Sequence, residues 1–364
     1  MQCVRRAAGF CLSLLCFPWI SSCSLTTCDN TSFGATTAMG TISFAVAKPD
    51  PLATYSLQGD NSPVLDPSIM RQGSTYYAFS TDVYTQNSND LPIRCSQDLV
   101  NWTLCSSVFP AGMPSWVIQK IPGITGLWAP DISYFNGLYH VYFAGSTLGS
   151  QQSVIGLATN TTLDPKDPSY KWIDQGEVIE SNLGDNFNAI DPTILVDDDG
   201  TVWMTYGSAA TGIKQRQIDP ANGKLFSSYC TCYDLATRPG LVANPIEGPS
   251  LIKHGNYYYL FVSMDYCCTS YTSPGAYKQA VGRSTGPHGP FVDETGTPMM
   301  NGGGTVLLET DGKWGAPGGG TAYIDKESGQ SLIIFHAHNM AQNAAPYQWV
   351  KTLNWVNDWP VIGN

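Results

Sequence analysis

The sequence predicts an all-β protein, a single-domain five-bladed β-propeller, on three observations. First, only 13% of the 364 residues are charged, while 36 are glycine, 19 tyrosine and 10 tryptophan. Turn formers mixed with strand-favouring aromatics point to many short strands. Second, one pattern recurs: a β-prone run, a turn containing glycine, then a run rich in Tyr, Phe or Trp. Third, the first four copies begin at Asp66, Asp131, Asp191 and Glu247, at intervals of 56 to 65 residues. Each interval holds about four strands of five to six residues with their loops, and a four-stranded unit at a regular period marks a propeller blade. No helical periodicity competes.

In chain order, the N-terminus MQCVRRAAGFCLSLLCFPWISSCS places Arg5 and Arg6 before an apolar run from Ala7 to Ile20. This is a secretory signal pattern, too short to favour a membrane span. Residues 1–23 are therefore expected to be removed, leaving a secreted, extracellular protein with no membrane contact. Residues 24–60, rich in Thr, Ser and Ala, read as a lead-in, and 61–364 as the propeller. The five units are LDPSIMRQGSTYYAFSTD from Leu65, APDISYFNGLYHVYFAGS from Ala129, IDPTILVDDDGTVWMTYGS from Ile190, IEGPSLIKHGNYYYLFVSMD from Ile246 and GGGTAYIDKESGQSLIIFHAH from Gly318. Glycine supplies the positive φ that tight hairpins need. The closing VKTLNWVNDWPVI reads as a hairpin turning at Asn357-Asp358 that completes the last blade.

In an oxidising compartment Cys28, Cys95, Cys105, Cys230, Cys232, Cys267 and Cys268 are disulfide candidates. Cys95 and Cys105 flank a strand-turn-strand segment suited to a clip. The pairs Cys230/Cys232 and Cys267/Cys268 leave connectivity open, and neither has the two-residue gap of a zinc knuckle. Sequons at Asn30, Asn101 and Asn160 fit export. The net charge of −11 repels phosphate backbones, which argues against nucleic acid. A neutral or weakly charged substrate is compatible with it.

Inner strands of a propeller line a central channel, so carboxylates at equivalent blade positions converge. Glycosidic cleavage needs two carboxyl groups in different protonation states. Glu247, within Pro245-Ile246-Glu247-Gly248-Pro249, has non-ionic neighbours that would raise its pKa and suit a general acid. Asp66 would have to stay ionised, and a nearby Asp191 would raise Glu247 further. Asp before Pro is also common turn chemistry, and Asp131 reads as that structural kind.

At these residues the sequence resembles glycoside hydrolase family 43 and, within it, the endo-1,5-α-L-arabinanases. The matching stretches are LWAPDISYFNGLYHVYF, STLGSQQSVIGLATN, NAIDPTI, YGSAATGI, IEGPSLI, YYYLFVSMDYCC, VGRSTGPHGPF and the closing DWPV, over roughly residues 60 to 360. The resemblance implies a five-bladed propeller and inverting hydrolysis of α-1,5-arabinofuranosidic bonds in arabinan, a pectin side chain. It implies Asp66 as general base, Glu247 as general acid and Asp191 as the group that tunes the acid. Inversion implies a base–acid separation of roughly 6.5–9.5 Å. Asn188, Ala189, Ile190, Gly149, Gly207 and Ser208 match stretches lining the sugar subsites, and Trp128 matches an aromatic near the reacting sugar. His336 matches a histidine that helps hold a calcium or similar ion in the channel, largely through water. No organic cofactor is implied. Nothing argues for a partner protein, so a monomer acting on a polysaccharide is expected.

The sequence departs from the family pattern at Leu65, where a histidine usually stands, at Gly318-Gly319-Gly320, and at His336-Ala337-His338-Asn339. These departures leave two other readings. One is an exo-acting α-L-arabinofuranosidase or β-xylosidase of the same family; the other is a non-catalytic sugar-binding propeller. CCTSYTS and VGRS favour the arabinanase branch. The segment TTLDPKDPSYKW and the Cys-bracketed loops are segments that could narrow the substrate groove, and the sequence leaves open whether they do.

Overall fold

The computed structural model describes residues 52, 54–83, 91–267, 271 and 275–363. The expected signal segment, most of the lead-in, Cys28, Cys268 and the Asn30 sequon lie outside them. Five antiparallel sheets follow one another along the chain as the blades of a propeller. Blade 1 has strands Ser68–Gln72, Thr75–Phe79, Pro92–Ser96 and Asn101–Ser107. Blade 2 has Leu127–Phe135, Leu138–Gly145, Ser153–Asn160 and Ile173–Ser181. Blade 3 has Thr193–Val196, Val202–Tyr206 and Ile213–Asp219, and its outer edge is split between Lys224–Leu225 and Tyr233–Ala236. Blade 4 has Ile246–His254, Tyr257–Met264, Lys278–Ser284 and Thr305–Leu308. Blade 5 has Trp314–Ile324, Ser331–Asn339, Ala345–Val356 and Trp359–Ile362. The last two pair across Asn357-Asp358, both at positive φ, as the sequence predicts. Among the described residues no helix is long and apolar enough to cross a membrane.

The blades pack face to face because alternate strand residues are apolar on both faces. The core is accordingly five clusters, one per junction. Phe79 and Ile93 meet Val141 and Phe143 between blades 1 and 2. Tyr142 and Leu157 meet Met204 and Tyr206 between blades 2 and 3. Trp203 and Ile213 meet Leu251 and Val262 between blades 3 and 4, and Phe261 and Val281 meet Phe335 and Trp349 between 4 and 5. The junction of blades 5 and 1 is the thinnest, with seven buried residues that include Leu57, Ile69, Trp102 and Ile334.

Among the described residues no strand is shared between the first and last blades. Polar ties add to the apolar cluster at that seam. Val64 N donates to Pro346 O at 3.1 Å and Gln348 N to Asn61 O at 2.8 Å. Arg71 Nη1 meets Asp325 Oδ2 at 2.8 Å, and Tyr76 Oη donates to the same oxygen at 3.0 Å. The end of the lead-in also belongs to the propeller: Gln58–Gly59 pairs in parallel with the outer strand of blade 1, and Leu52 and Leu57 are buried. Two buried leucines anchor this otherwise small, polar segment.

Antiparallel order fixes which loops share an end of the ring. First strands start, and second strands finish, at the end where Asp66, Asp191 and Glu247 lie. The loops between second and third strands and the links between blades therefore gather there, and third-to-fourth loops lie at the opposite end. Residues 161–172 join the third and fourth strands of blade 2 and bond to the hairpin of blade 1, Leu163 N donating to Gln72 Oε1 at 2.5 Å. They lie at the opposite end and so do not narrow a groove at the carboxylate end, which answers for this segment a point the sequence left open. The Cys95–Cys105 disulfide likewise joins the third and fourth strands of blade 1. Cys230, Cys232 and Cys267 are also disulfide-bonded.

Candidate active site

Each blade's first strand begins with the same local device. Asp66, Ala129, Asp191, Gly248 and Ala316 all precede a proline, and their φ values are 45°, 42°, 54°, 56° and 50°. These values are left-handed, which costs a non-glycine residue about 1–2 kcal/mol. The following proline lacks an N–H, which is harmless on a strand whose inner edge faces the channel. This register corrects the sequence alignment of the repeats. Ala129, not Asp131, is the counterpart of Asp66 and Asp191, and Glu247 stands one residue before its blade's counterpart, Gly248. Asp131 instead joins blades 2 and 3, its buried carboxyl accepting from Ile194 N at 3.0 Å. Burial pushes it up to about 8.

Asp66, Asp191 and Glu247 converge from blades 1, 3 and 4 and interact electrostatically. Asp66 Oδ2 accepts from Thr81 Oγ1 at 2.7 Å, and Thr81 Oγ1 accepts from Ala129 N at 2.9 Å, tying Asp66 to the backbone beside Trp128. Asp66 N donates to His336 Nδ1 at 3.1 Å. Asp191 Oδ2 accepts from Gly248 N at 3.1 Å, next to the proposed acid. Glu247 Oε2 accepts from Ser208 Oγ at 2.8 Å.

Burial, the Thr81 bond acting against it and repulsion from Glu247 leave Asp66 at about 7. Asp66 is thus less readily ionised than the sequence reading required. Burial also raises Glu247, against bonds from Ser208 and Tyr277. Burial followed by repulsion from Glu247 and Asp66 pushes Asp191 well above the carboxylate range. Repulsion between such neighbours is mutual, so the protons belong to the group of three. A site of this kind can hold one carboxyl protonated beside another that ionises, which is the requirement of acid–base hydrolysis.

The other predicted residues surround this cluster. Ser208 touches Glu247, and Gly207 N donates to Ile190 O at 2.9 Å. Ala189 N donates to Ser181 Oγ at 2.9 Å. Asn188 Nδ2 lies 3.5 Å from Ser150 O, tying its segment to the loop that carries exposed Gly149. Asn188 Oδ1 is buried and has no partner among the described residues. Trp128 is half-buried. Exposed Leu148, Leu183 and Val242 lie on loops at this same end, and each keeps at least three-quarters of its surface accessible.

Sequence reasoning missed Tyr277, Thr81 and the reason for the triple glycine. Tyr277 is buried, and its hydroxyl bonds to Glu247 and Ser263. A Cβ on Gly318 would collide with the Tyr277 ring, and one on Gly319 with Asp66 Oδ1 and His336. Gly319 has φ 55°. The run Gly318-Gly319-Gly320 is therefore a close approach of backbone to the site. No spacing or motif signalled Tyr277.

His336 is fully buried. Burial and His338 hold its pKa well below the usual range, so the ring is neutral. Because Nδ1 accepts from Asp66 N, the ring proton is on Nε2, which has no partner among the described residues. His336 thus offers the channel an N–H rather than a lone pair. This suits contact with a water of a hydrated ion and does not suit direct ligation. Among the described residues no group of three or more His, Cys, Asp or Glu is placed to hold a metal.

Comparison with known proteins agrees with this geometry. The family profile described as "Glycosyl hydrolases family 43" matches residues 61–360. An extracellular endo-α-(1→5)-L-arabinanase of Bacillus subtilis is 37% identical over 296 residues, covering 81% of this chain and 86% of the relative. An extracellular exo-α-(1→5)-L-arabinofuranosidase of Cellvibrio japonicus is 36% identical, covering 82% and 86%. The structure of a Cellvibrio cellulosa α-L-arabinanase complexed with arabinohexaose superposes with a TM-score of 0.77 at 34% identity, over 84% of this chain and 96% of that one.

Proposed function

Because the chain belongs to glycosyl hydrolases family 43, we propose that it is a secreted enzyme that hydrolyses α-1,5-linked arabinofuranose chains, cutting arabinan internally with inversion. The observation that carries this reading is the convergence of three half-buried carboxyl groups from blades 1, 3 and 4, one of them held by Ser208. In the proposed step Asp66 takes a proton from water as the water oxygen bonds to the anomeric carbon. The bond from that carbon to the leaving oxygen breaks, and Glu247 gives its proton to that oxygen. Asp191, bonded to Gly248 N beside the acid, repels charge on Glu247 when it is itself ionised, and so raises the acid and keeps it protonated. Secretion is supported by the N-terminal pattern and by the extracellular relatives.

The endo mode is supported by the Bacillus relative and by the exposed apolar loops around the site. An exo mode on the same linkage is the second reading, favoured by the nearly equal identity to the Cellvibrio exo enzyme. Product analysis on linear arabinan tests both. Early mixed oligosaccharides with falling viscosity are expected, and one short product alone would establish the exo mode. Glu247→Gln should abolish hydrolysis of arabinan while leaving oligosaccharide binding largely intact; unchanged turnover of arabinan would remove Glu247 from its role.

The calcium implied by the family resemblance is proposed as a hydrated ion reached through water from His336 Nε2. Bound there, it would supply positive charge that favours ionised Asp66. Protein stripped with EDTA is expected to melt earlier or turn over more slowly, and identical values would count against the ion.

A further inference from the structure

The general acid of the proposed hydrolase is held by more than Ser208. Glu247 sits on the first strand of blade 4, paired with Ser263 on the second. Tyr277 immediately precedes the third strand, Lys278–Ser284, and only 2% of it is exposed. Its hydroxyl reaches Glu247 and Ser263. Ser263 Oγ is fixed in turn, accepting Gly319 N at 2.9 Å. The Tyr277 ring fits only because position 318 is glycine. It also lies nearly parallel to the His336 ring, 19° apart in plane with centroids at 6.0 Å, and His336 receives the backbone N–H of Asp66. One side chain therefore touches the acid with its hydroxyl and, through a ring, the residue that holds the base.

We propose that Tyr277 is a positioning residue: its hydroxyl and Ser208 clamp the Glu247 carboxyl, and its ring forms the wall that spaces the acid of blade 4 from the base of blade 1. This rests on the hydrolase reading above. A clamp on the acid matters most where the leaving group needs a proton. Loss of the hydroxyl should therefore harm cleavage of arabinan, whose leaving group is a sugar alkoxide. It should largely spare an arabino-oligosaccharide with a 4-nitrophenyl leaving group, which departs as a phenolate with little protonation.

Tyr277→Phe keeps the ring between Gly318 and His336 and removes the hydroxyl. On linear arabinan kcat is expected to fall about tenfold or more with KM within about twofold, against a loss of less than about threefold on the nitrophenyl substrate. Combined with Glu247→Gln, it should add no further loss on the nitrophenyl substrate, because it acts through the acid. Ser263→Ala loosens the same hydroxyl from its other side and should repeat the split at smaller amplitude, which covers the case in which the phenylalanine variant does not fold. Equal losses on both substrates, or no loss on either, would overturn the proposal. Wild-type protein inert on both would overturn the hydrolase reading and the proposal with it.

Discussion

Replacing Asp66 with asparagine should stabilise the protein at alkaline pH and leave its stability unchanged in acid. Asparagine keeps an oxygen for Thr81 Oγ1 and removes the charge. In the fold the Asp66 carboxyl moves from 3.8 to about 7, chiefly through burial. That is about three units at 1.36 kcal/mol each, or about 4 kcal/mol for a fully sealed group. The side chain keeps 27% of its surface, and screening by water there leaves about 2–3 kcal/mol. Because the folded pKa lies above the unfolded one, the folded protein holds the proton more tightly. The penalty is absent below pH 3.8, grows as the pH rises and is complete above about 7. For a domain of about 300 residues, roughly 1.5 °C accompanies each kcal/mol. Melting followed by calorimetry in EDTA should therefore place Asp66→Asn about 3–5 °C above wild type at pH 8.5, with no difference at pH 3.5. The same offset at both pH values, or a less stable variant at pH 8.5, would refute the reasoning.

Gly319→Ala forces a Cβ onto Asp66 Oδ1 and His336 at a left-handed φ of 55°; activity should fall at least tenfold with a stability loss of about 2 kcal/mol, measured by kinetics and denaturant melts. Asp325→Ala removes the acceptor of Arg71 and Tyr76 at the seam and should cost about 3 kcal/mol at pH 7. Several hydrogen bonds depress Asp325 to about 2 against its burial, so this contribution exists above pH 3.8 and is lost as pH falls through about 2; a pH-independent difference would argue against the ion pair. Passage through a eukaryotic secretory pathway should place a glycan on exposed Asn101 and none on Asn160. Asn160 is buried, and its Oδ1 accepts from Thr161 N and Lys171 N. Peptide mapping after deglycosylation reads both sites, and an occupied Asn160 would contradict its burial.

The blade count was legible because each hairpin is local: a glycine turn between two β-prone runs needs no distant partner. Register was not. Asp131 and Asp66 look alike beside their prolines, but the equivalence lies in backbone conformation, and only the left-handed residue before each proline reveals Ala129 as the counterpart. The three carboxylates were legible as chemistry and from the resemblance, whereas the about-7 pKa of Asp66 depends on how deeply three blades bury it. Tyr277 was invisible because a tyrosine ahead of a β-strand is ordinary; its meaning comes from Gly318 and His336, both distant in sequence. The placement of residues 161–172 required knowing which strands run toward the site, and that follows only once every strand in the blade is counted.

The seam between the first and last blades has a temporal consequence. Asp66 and the Thr81 hydroxyl that bonds it are made early, but His336, which receives its backbone N–H, and the Gly319 backbone against its carboxyl come from the last blade. The segment on which it stands is pinned by Pro346 and Gln348, later still. A growing chain could have all of blades 1 to 4 folded, Glu247 included, and still lack a fully seated Asp66. Catalytic competence therefore arrives only with the final blade, so that activity reports a completed ring, and a chain truncated before it should be inert rather than partly active.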